Sequence, residues 1–248
     1  DIERLAFLSE DYNDAPGVRG RLNLPQTAVE AVLRRAITGP IVEAQPLFHT
    51  VGDATANTIV DTMSAIANDK QWVQVRPRIE HGTLLRPDRF ASARGKGIFV
   101  VQNPIHFALV EIATERFSPS LLADIDPMKS LLDAGIKVAI GSDAVATPAN
   151  PYLDLFFALI QPTHPSEALT IEQAVIAYTK TAAEAEFQEA SKGTIEPGKL
   201  ADLVVLSQDI FRIPPPQIPG TTALLTVVGG KVVHDAGVVA QPVPQPRQ

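Results

Sequence analysis

Short strands alternate with helices along the first three quarters of the chain, and this alternation limits the fold more than any other feature. Four largely apolar runs of strand length, each followed by a helical pattern, lie at residues 41–48, 76–81, 98–102 and 136–141. Parallel strands need long crossover connections, which helices usually supply. The sequence therefore predicts an α/β fold in which a parallel four-stranded sheet is covered by helices.

Several of the predicted helices carry recognisable start signals. A Ser or Thr three residues before Glu or Gln can form a capping box, and Asn or Asp before Pro is typical of a first helical turn. The signals are Thr27 with Glu30, Asp126 before Pro127, Asn150 before Pro151, and Thr170 with Gln173. They predict helix starts at these four places.

The pattern changes after residue 192 to short strands joined by turns. Residues 201–206, 223–228 and 231–234 are strand-like, and Gly229 with Gly230 predicts a hairpin turn between the last two. The final eight residues, 241–248, contain three prolines and predict an extended tail. The chain therefore ends in a small β-rich part rather than in further β/α units.

Composition excludes several classes of protein. The chain has 21 Lys and Arg against 28 Asp and Glu, a net charge of −7, which argues against binding to nucleic acid or to an anionic membrane surface. No apolar run reaches the ~20 residues that a membrane span needs. The absence of cysteine excludes disulfides and thiolate metal sites. The compartment stays open, cytoplasmic or exported, since we expect any targeting signal to lie upstream of Asp1.

Four polar side chains stand where the predicted strands end. His49, His81 and Asp143 lie at the ends of the first, second and fourth strands, and His106 follows the third. The carboxyl ends of parallel strands form one edge, where ligands bind. Singly, each histidine would be interpreted as a structural residue and the aspartate as a helix cap. Together they make a site for Zn²⁺ or a similar divalent ion as good an interpretation as a structural one.

The segments around these residues resemble the carboxy-terminal half of the amidohydrolase superfamily, specifically the amidohydrolase-3 group that includes N-substituted formamide deformylase-like enzymes. Segments similar to those of the family's barrel strands five to eight are FHTVGDATANTIVD, RPRIEHGTLLRPDRF, FVVQNPIHF and VAIGSDAVATPANPYLDL. Segments similar to those that leave the barrel and return to a small β-sandwich are LTIEQAVIAYTKTAAEAEF, GTIEPGKLADLVVL and LTVVGGKVVHDAG. Their order along the chain makes the resemblance specific.

The resemblance implies the second half of a metal-dependent-hydrolase (β/α)₈ barrel, with about four βα units, followed by the C-terminal strands of the sandwich. On this basis residues 1–192 are the partial barrel with strands five to eight, residues 193–240 the sandwich portion and residues 241–248 the Pro-rich tail. The family's paired histidines of the first strand have no counterpart here. We therefore expect the chain to be a fragment that begins after the fourth barrel strand.

The resemblance also implies roles for single residues. His49, His81 and Asp143 match metal ligands for one or two divalent ions, with Zn²⁺ the expected metal. Asp143 also matches the catalytic residue that carries the proton, and His106 matches a substrate-binding residue. A neighbouring residue of the site, Asp53, is expected to cap the helix after His49.

Strand alternation gives a further expectation for the residues before His81. Side chains point alternately to the two faces of a strand, so Glu80 should point away from His81 toward the helices. Arg78 shares the face of Glu80, and an ion pair between the two is expected there. Neither residue is therefore expected to take part in catalysis.

An open four-stranded sheet leaves two edges unpaired and its inner face uncovered, a state that proteins avoid. We expect the N-terminal half of the same enzyme, or another copy, to complete the barrel. The expected function is that of a metal-dependent hydrolase that cleaves an amide-type, non-peptide C–N bond in a small molecule. A non-catalytic remnant serving as a binding or oligomerisation module is the alternative, and the retained ligand residues favour the hydrolase. A flavodoxin-like binder is disfavoured because no glycine-rich phosphate loop is present.

Overall fold

The structure is a computed structural model that describes residues 4–39, 45–144 and 149–238. Its α-helices are α1 (Gln26–Thr38), α2 (Asp53–Ile66), α3 (Asp69–Val75), α4 (Pro87–Gly95), α5 (Val110–Arg116), α6 (Pro119–Leu122), α7 (Met128–Asp133), α8 (Pro151–Ile160), α9 (Ile171–Ile176) and α10 (Ala182–Ala185). Its strands are β1 (Leu47–Thr50), β2 (Arg78–His81), β3 (Phe99–Gln102), β4 (Lys137–Ile140), β5 (Leu203–Leu206), β6 (Ala223–Val228) and β7 (Lys231–Asp235). A π-helical turn joins α9 to α10. A 3₁₀ turn, Pro104–Ala108, follows β3 and is called the His106 turn below.

Strands β1 to β4 form a parallel sheet in the order β1-β2-β3-β4, which confirms the predicted α/β sheet. One row across the sheet consists of Phe48, Ile79, Val100 and Val138, and all four side chains are buried in the main core. Apolar side chains of α1, α2 and α7 join that core. This face of the sheet is therefore the one that packs against helices.

The opposite face carries the row His49, Glu80, Val101 and Ala139. The expectation that this face is uncovered is wrong for β3, which is buried at all four positions. At the sheet's edge, by contrast, Leu47 and His49 of β1 are exposed. The uncovered part of this face is therefore concentrated at β1.

A second, smaller core lies over the loops that follow β1 and β2. Ala6, Leu8 and Tyr12 of the N-terminal segment, residues 4–21, pack there against Leu84 and Phe117. The Leu84 N–H donates to the carbonyl of Val51, so the two loops are also joined to each other. The N-terminal segment therefore rests on the edge of the sheet where the site residues were predicted.

Strands β5 to β7 form a separate antiparallel sheet, and the turn at Gly229 and Gly230 confirms the predicted hairpin. Every residue of β7 is exposed, including Val232 at 55% and Val233 at 62%. Apolar side chains in strands usually pack against another layer. The predicted domain boundary near residue 192 stays a prediction, and the predicted tail at 241–248 lies outside the described residues.

The helix starts were predicted with mixed success. The signals at Asn150 and Thr170 are confirmed, since each side chain accepts hydrogen bonds from the first turn of its helix. The capping box at Thr27 is wrong, because α1 begins at Gln26 and places Thr27 inside the helix. Asp126 is also not a cap: its left-handed φ of 48° differs from the extended backbone of an N-cap residue.

Some segments differ from the prediction in position. Residues 41–44 of the first predicted strand lie outside the described residues, and the strand extends to Thr50, so that His49 lies within it. The sequence analysis missed α3, although Asn68 and Gln71 form a capping box at its start. Among the described residues, no helix has both the length and the hydrophobicity needed to cross a bilayer.

Candidate metal centre

His81, His106 and Asp143 come together at the C-terminal edge of the parallel sheet. Each offers one ligand atom, and these three atoms lie within 4.8 Å of one another. His106 Nε2 is 3.6 Å from Asp143 Oδ2, and the rings of His81 and His106 stack with their centroids 5.8 Å apart. Three residues from three successive strand ends therefore form one cluster.

His49 lies beside this cluster and touches it through His81. The His49 Nδ1 atom is 2.9 Å from His81 Nε2, a hydrogen-bond distance, and the two rings meet edge to face. Among the described residues, the group that could hold one ion consists of His81, His106 and Asp143. The structure thus brings all four predicted residues to one place, with His106 beside Asp143 and His49 beside His81.

Left-handed backbone explains how His81 reaches the site. Its strand partner is Thr50, which is buried on the face that packs against helices, and strict alternation would turn His81 to that same face. The φ angle of His81 is 69° and that of Gly82 is 60°, so the strand ends at this residue. Asp143, with φ 49°, is left-handed too. Asp and His are among the residues that tolerate this region best, and strained positions cluster at functional sites.

The expectation that Glu80 points toward the helices is wrong. Glu80 is the strand partner of His49, and Ile79, its neighbour in sequence, is the residue buried against the helices. The predicted ion pair is present, with Arg78 Nη2 2.8 Å from Glu80 Oε1, but it lies on the face of the site. Burial raises the pKa of Glu80 even though the Arg78 cation opposes the shift. The orientation of Glu80 was assigned wrongly because His81, and not Glu80, is the residue that departs from strand alternation.

Asn103 joins the segments that follow β3 and β4. Its Nδ2 donates to the carbonyl oxygen of Gly141 at 2.8 Å. A Cβ atom at Gly141 would lie 3.3 Å from Val101 Cγ1 and 3.4 Å from Asn103 Nδ2, which is tight. The sequence analysis missed Asn103, although its place between the third strand and His106 is a signal that it borders the site.

The electrostatics of the cluster suit a cation. Burial, with a smaller contribution from His49, lowers the pKa of His81 to about 4, and burial also lowers the pKa of His106. Both imidazoles are therefore neutral at neutral pH and keep a nitrogen lone pair. Two neutral imidazoles and a carboxylate are a donor set that fits Zn²⁺ or a similar divalent ion.

Asp53, expected to be a helix cap, has a different role. The N-cap of α2 is Gly52, and Asp53 is the first helical residue. Its buried carboxylate accepts hydrogen bonds from the Ser9 N–H at 2.9 Å and from the Ser9 hydroxyl. It also accepts one from the backbone N–H of Ala54. Asp53 therefore attaches the N-terminal segment to the loop that follows His49.

Comparison with known proteins places the chain in a family. The sequence model of the amidohydrolase family matches residues 2–234. The chain belongs to this family. Among curated proteins, this amidohydrolase-family chain is 26% identical over 243 residues to the putative amidohydrolase YtcJ of Bacillus subtilis (strain 168), covering 94% of the chain and 45% of the relative. It is 27% identical over 195 residues to the N-substituted formamide deformylase of Arthrobacter pascens, covering 75% of the chain and 36% of that enzyme.

A solved structure shows the same fold. An uncharacterised metal-dependent hydrolase from Pyrococcus horikoshii OT3 superposes with a TM-score of 0.75 at 21% identity, covering 87% of this chain and 44% of that one. The likeness confirms the predicted fold class, part of a metal-dependent-hydrolase barrel. The amidohydrolase-family chain spans less than half the length of these proteins.

Proposed function

We propose that this chain supplies the metal-binding and proton-transferring half of a hydrolase that cleaves an amide-type, non-peptide C–N bond in a small molecule. The observation that carries the proposal is the cluster of His81, His106 and Asp143, whose ligand atoms lie within 4.8 Å of one another at the ligand-binding edge of the sheet. Family membership supports the reaction class, since a relative is a formamide deformylase.

The proposal assigns a separate role to each residue of the site. His81, Asp143 and either His49 or His106 would hold one or two divalent ions, with Zn²⁺ the best fit to imidazole and carboxylate donors. A divalent ion, when bound, acidifies water and polarises a carbonyl group. Asp143 accepts the proton of the water that adds to the carbonyl carbon, and then passes it to the departing nitrogen as the C–N bond breaks. The products are a carboxylic acid and an amine. If His106 is not a ligand, it contacts the substrate.

Catalysis by this chain requires a complementary half, supplied by the N-terminal half of the same enzyme or by another copy. In the described part of the chain, β1 and β4 are the outer strands of the parallel sheet, each with one edge unpaired. Unpaired parallel edges and the exposed valines of β7 are features that proteins usually cover. The relatives, more than twice as long, have enough chain to do so.

Zinc titration of the purified chain tests the metal proposal. Wild-type protein should bind Zn²⁺, and His81→Ala should weaken binding by at least tenfold. Comparing His49→Ala with His106→Ala identifies the third ligand, because removal of the ligand weakens affinity far more than removal of its neighbour. His234→Ala, in an exposed strand of the antiparallel sheet, is the matched control. Failure of the wild-type chain to bind Zn²⁺, or equal binding by all four variants, would overturn the proposal.

Release of an amine from N-substituted formamides and related small amides tests the reaction, with the chain assayed alone and together with its complementary half. Asp143→Asn should abolish turnover while leaving the fold intact, because the amide cannot accept the proton. Wild-type turnover by Asp143→Asn would refute the role of Asp143. Zinc binding without turnover of any amide by the completed protein would favour the alternative, a non-catalytic binding module.

A further inference from the structure

Asp154 is a buried carboxylate that the proposed reaction does not use. It lies on α8 with its side chain fully buried, and α8 is the helix that follows Asp143 along the chain. Its Oδ1 accepts a hydrogen bond from the backbone N–H of Ile105 at 3.3 Å, and its Oδ2 accepts one from the Tyr178 hydroxyl at 3.3 Å. A buried carboxylate is costly unless its oxygens are hydrogen-bonded, so this placement has a structural reason.

The bond to Ile105 falls within the His106 turn. Ile105 directly precedes His106, and α8 packs along this turn. The Asp154 carboxylate therefore holds the backbone from which the imidazole of His106 projects toward Asp143.

The other end of the same turn is held from the loop that follows α8. The Thr163 hydroxyl donates to the carbonyl oxygen of Phe107 at 2.9 Å. Thr163 is itself fixed by Gln161, a fully buried residue whose Oε1 accepts from the Thr163 N–H at 3.1 Å. The turn is thus attached at Ile105 and at Phe107, on both sides of His106, to one helix and its following loop.

We infer that Asp154 is a positioning residue that fixes His106 within reach of Asp143. The inference rests on the proposed function, because it assigns His106 a place in the metal cluster. The Asp154 carboxylate is hydrogen-bonded to Ile105 and Tyr178 and not to a residue of the cluster. It acts through the backbone of the His106 turn, as residues around a metal site commonly act through its ligands.

Zinc affinity, measured on the whole chain by competition with a chromophoric chelator, tests the inference. Asp154→Ala should bind Zn²⁺ about tenfold more weakly than wild type, the lower end of the effect of losing a supporting contact. Asp154→Asn should stay within about twofold, because its amide oxygen can still accept from Ile105 N–H and its amide nitrogen can donate to Tyr178. If the alanine variant does not fold, Asp154→Ser replaces it, since its side chain is too short to reach both partners.

A double variant separates positioning from a general loss of structure. If Asp154 acts through His106, adding Asp154→Ala to His106→Ala should cause no further loss of affinity. Glu167→Ala is the matched control: Glu167 is a buried carboxylate whose oxygens accept from the Ser130 N–H and hydroxyl and not from the His106 turn. It should lower stability and leave zinc affinity unchanged.

Wild-type affinity in Asp154→Ala, an additive loss in the double variant, or an Asp154→Asn variant as weak as Asp154→Ala would each overturn the inference. An affinity that does not depend on His106 or Asp154 but does depend on His49 would also overturn it, while leaving the proposed function standing. Failure of the wild-type chain to bind Zn²⁺ would instead reject the proposed function, and this inference with it.

Discussion

Replacement of Gly52 by Ala tests how the loop after His49 is held. Gly52 has an ordinary φ of −75°, so an alanine there costs no backbone strain. Space is the obstacle, because a Cβ atom at this position would lie 2.0 Å from the carbonyl oxygen of Phe7 and 2.6 Å from its carbonyl carbon. Both are backbone atoms, so a side-chain rotation cannot relieve the clash, and the N-terminal segment has to move.

The size of the effect follows from the size of that movement. Heavy atoms in contact prefer about 3.5 Å, so Phe7 must retreat by roughly 1.5 Å. A shift of this size would break the two hydrogen bonds from Ser9 to the buried Asp53 carboxylate, one of which is 2.9 Å long. Hydrogen bonds to charged groups contribute ~1.5–3 kcal/mol each. We therefore expect Gly52→Ala to lower the free energy of unfolding by about 3–6 kcal/mol.

Urea unfolding at pH 7 in the presence of a chelator measures this change. Gly220→Ala is the control, because nothing lies within 4 Å of a Cβ atom there, and it should change the unfolding free energy by less than ~0.5 kcal/mol. Ser9→Ala, which removes only the hydroxyl contact, should fall between the two and remains informative if Gly52→Ala does not fold. A loss below about 1 kcal/mol for Gly52→Ala would refute the packing of the N-terminal segment on this loop.

Two further predictions concern pH. Burial lowers the pKa of His81 from 6.5 to about 4, so between these values the unfolded chain binds a proton that the folded chain does not. The unfolding free energy, measured in the presence of a chelator, should therefore fall as the pH is lowered from 6.5 to 4. In His81→Gln the contribution of His81 to this pH dependence should be absent. Burial raises the pKa of Asp154 from 3.8 to about 6, so its ionised form opposes folding above pH 6. Asp154→Asn should unfold at higher urea than wild type at pH 8, and the difference should shrink toward pH 4; a constant difference would contradict this reasoning.

The sequence predicted the parts of the site that depend on local pattern. Strand length, helical periodicity and caps such as Asn150 are local properties, and parallel pairing then brings strand ends to one edge. The four strand-end residues were expected at one edge, where the structure has them, whereas the expected ligand set of His49, His81 and Asp143 stays a prediction. Local patterns do not fix the first residue of a helix where two starting positions fit the sequence equally well. Thr27 fits a capping box, but the helix starts at Gln26 after Pro25.

Contacts between distant residues could not be predicted from pattern. Ser9 and Asp53 are 44 positions apart, and Ile105 and Asp154 are 49 apart, so no periodicity connects either pair. The predicted orientation of the Glu80 side chain was wrong for a different reason. Alternation was applied from His81, the one residue of β2 with a left-handed φ, and a single left-handed residue inverts every face assigned from it.

Two of the buried carboxylates, Asp53 and Asp154, allow the third metal ligand to be identified without changing any residue of the cluster. Asp53 holds the loop beyond His49 through Ser9, whereas Asp154 holds the turn that carries His106. The two carboxylates share no hydrogen-bond partner, so their effects on zinc affinity should be independent. If His106 is the ligand, Asp154→Ala weakens zinc binding and Ser9→Ala does not; if His49 is the ligand, the order is reversed. Equal weakening by both would mean that the supports act on the sheet edge as a whole, contrary to the separate roles argued from these contacts.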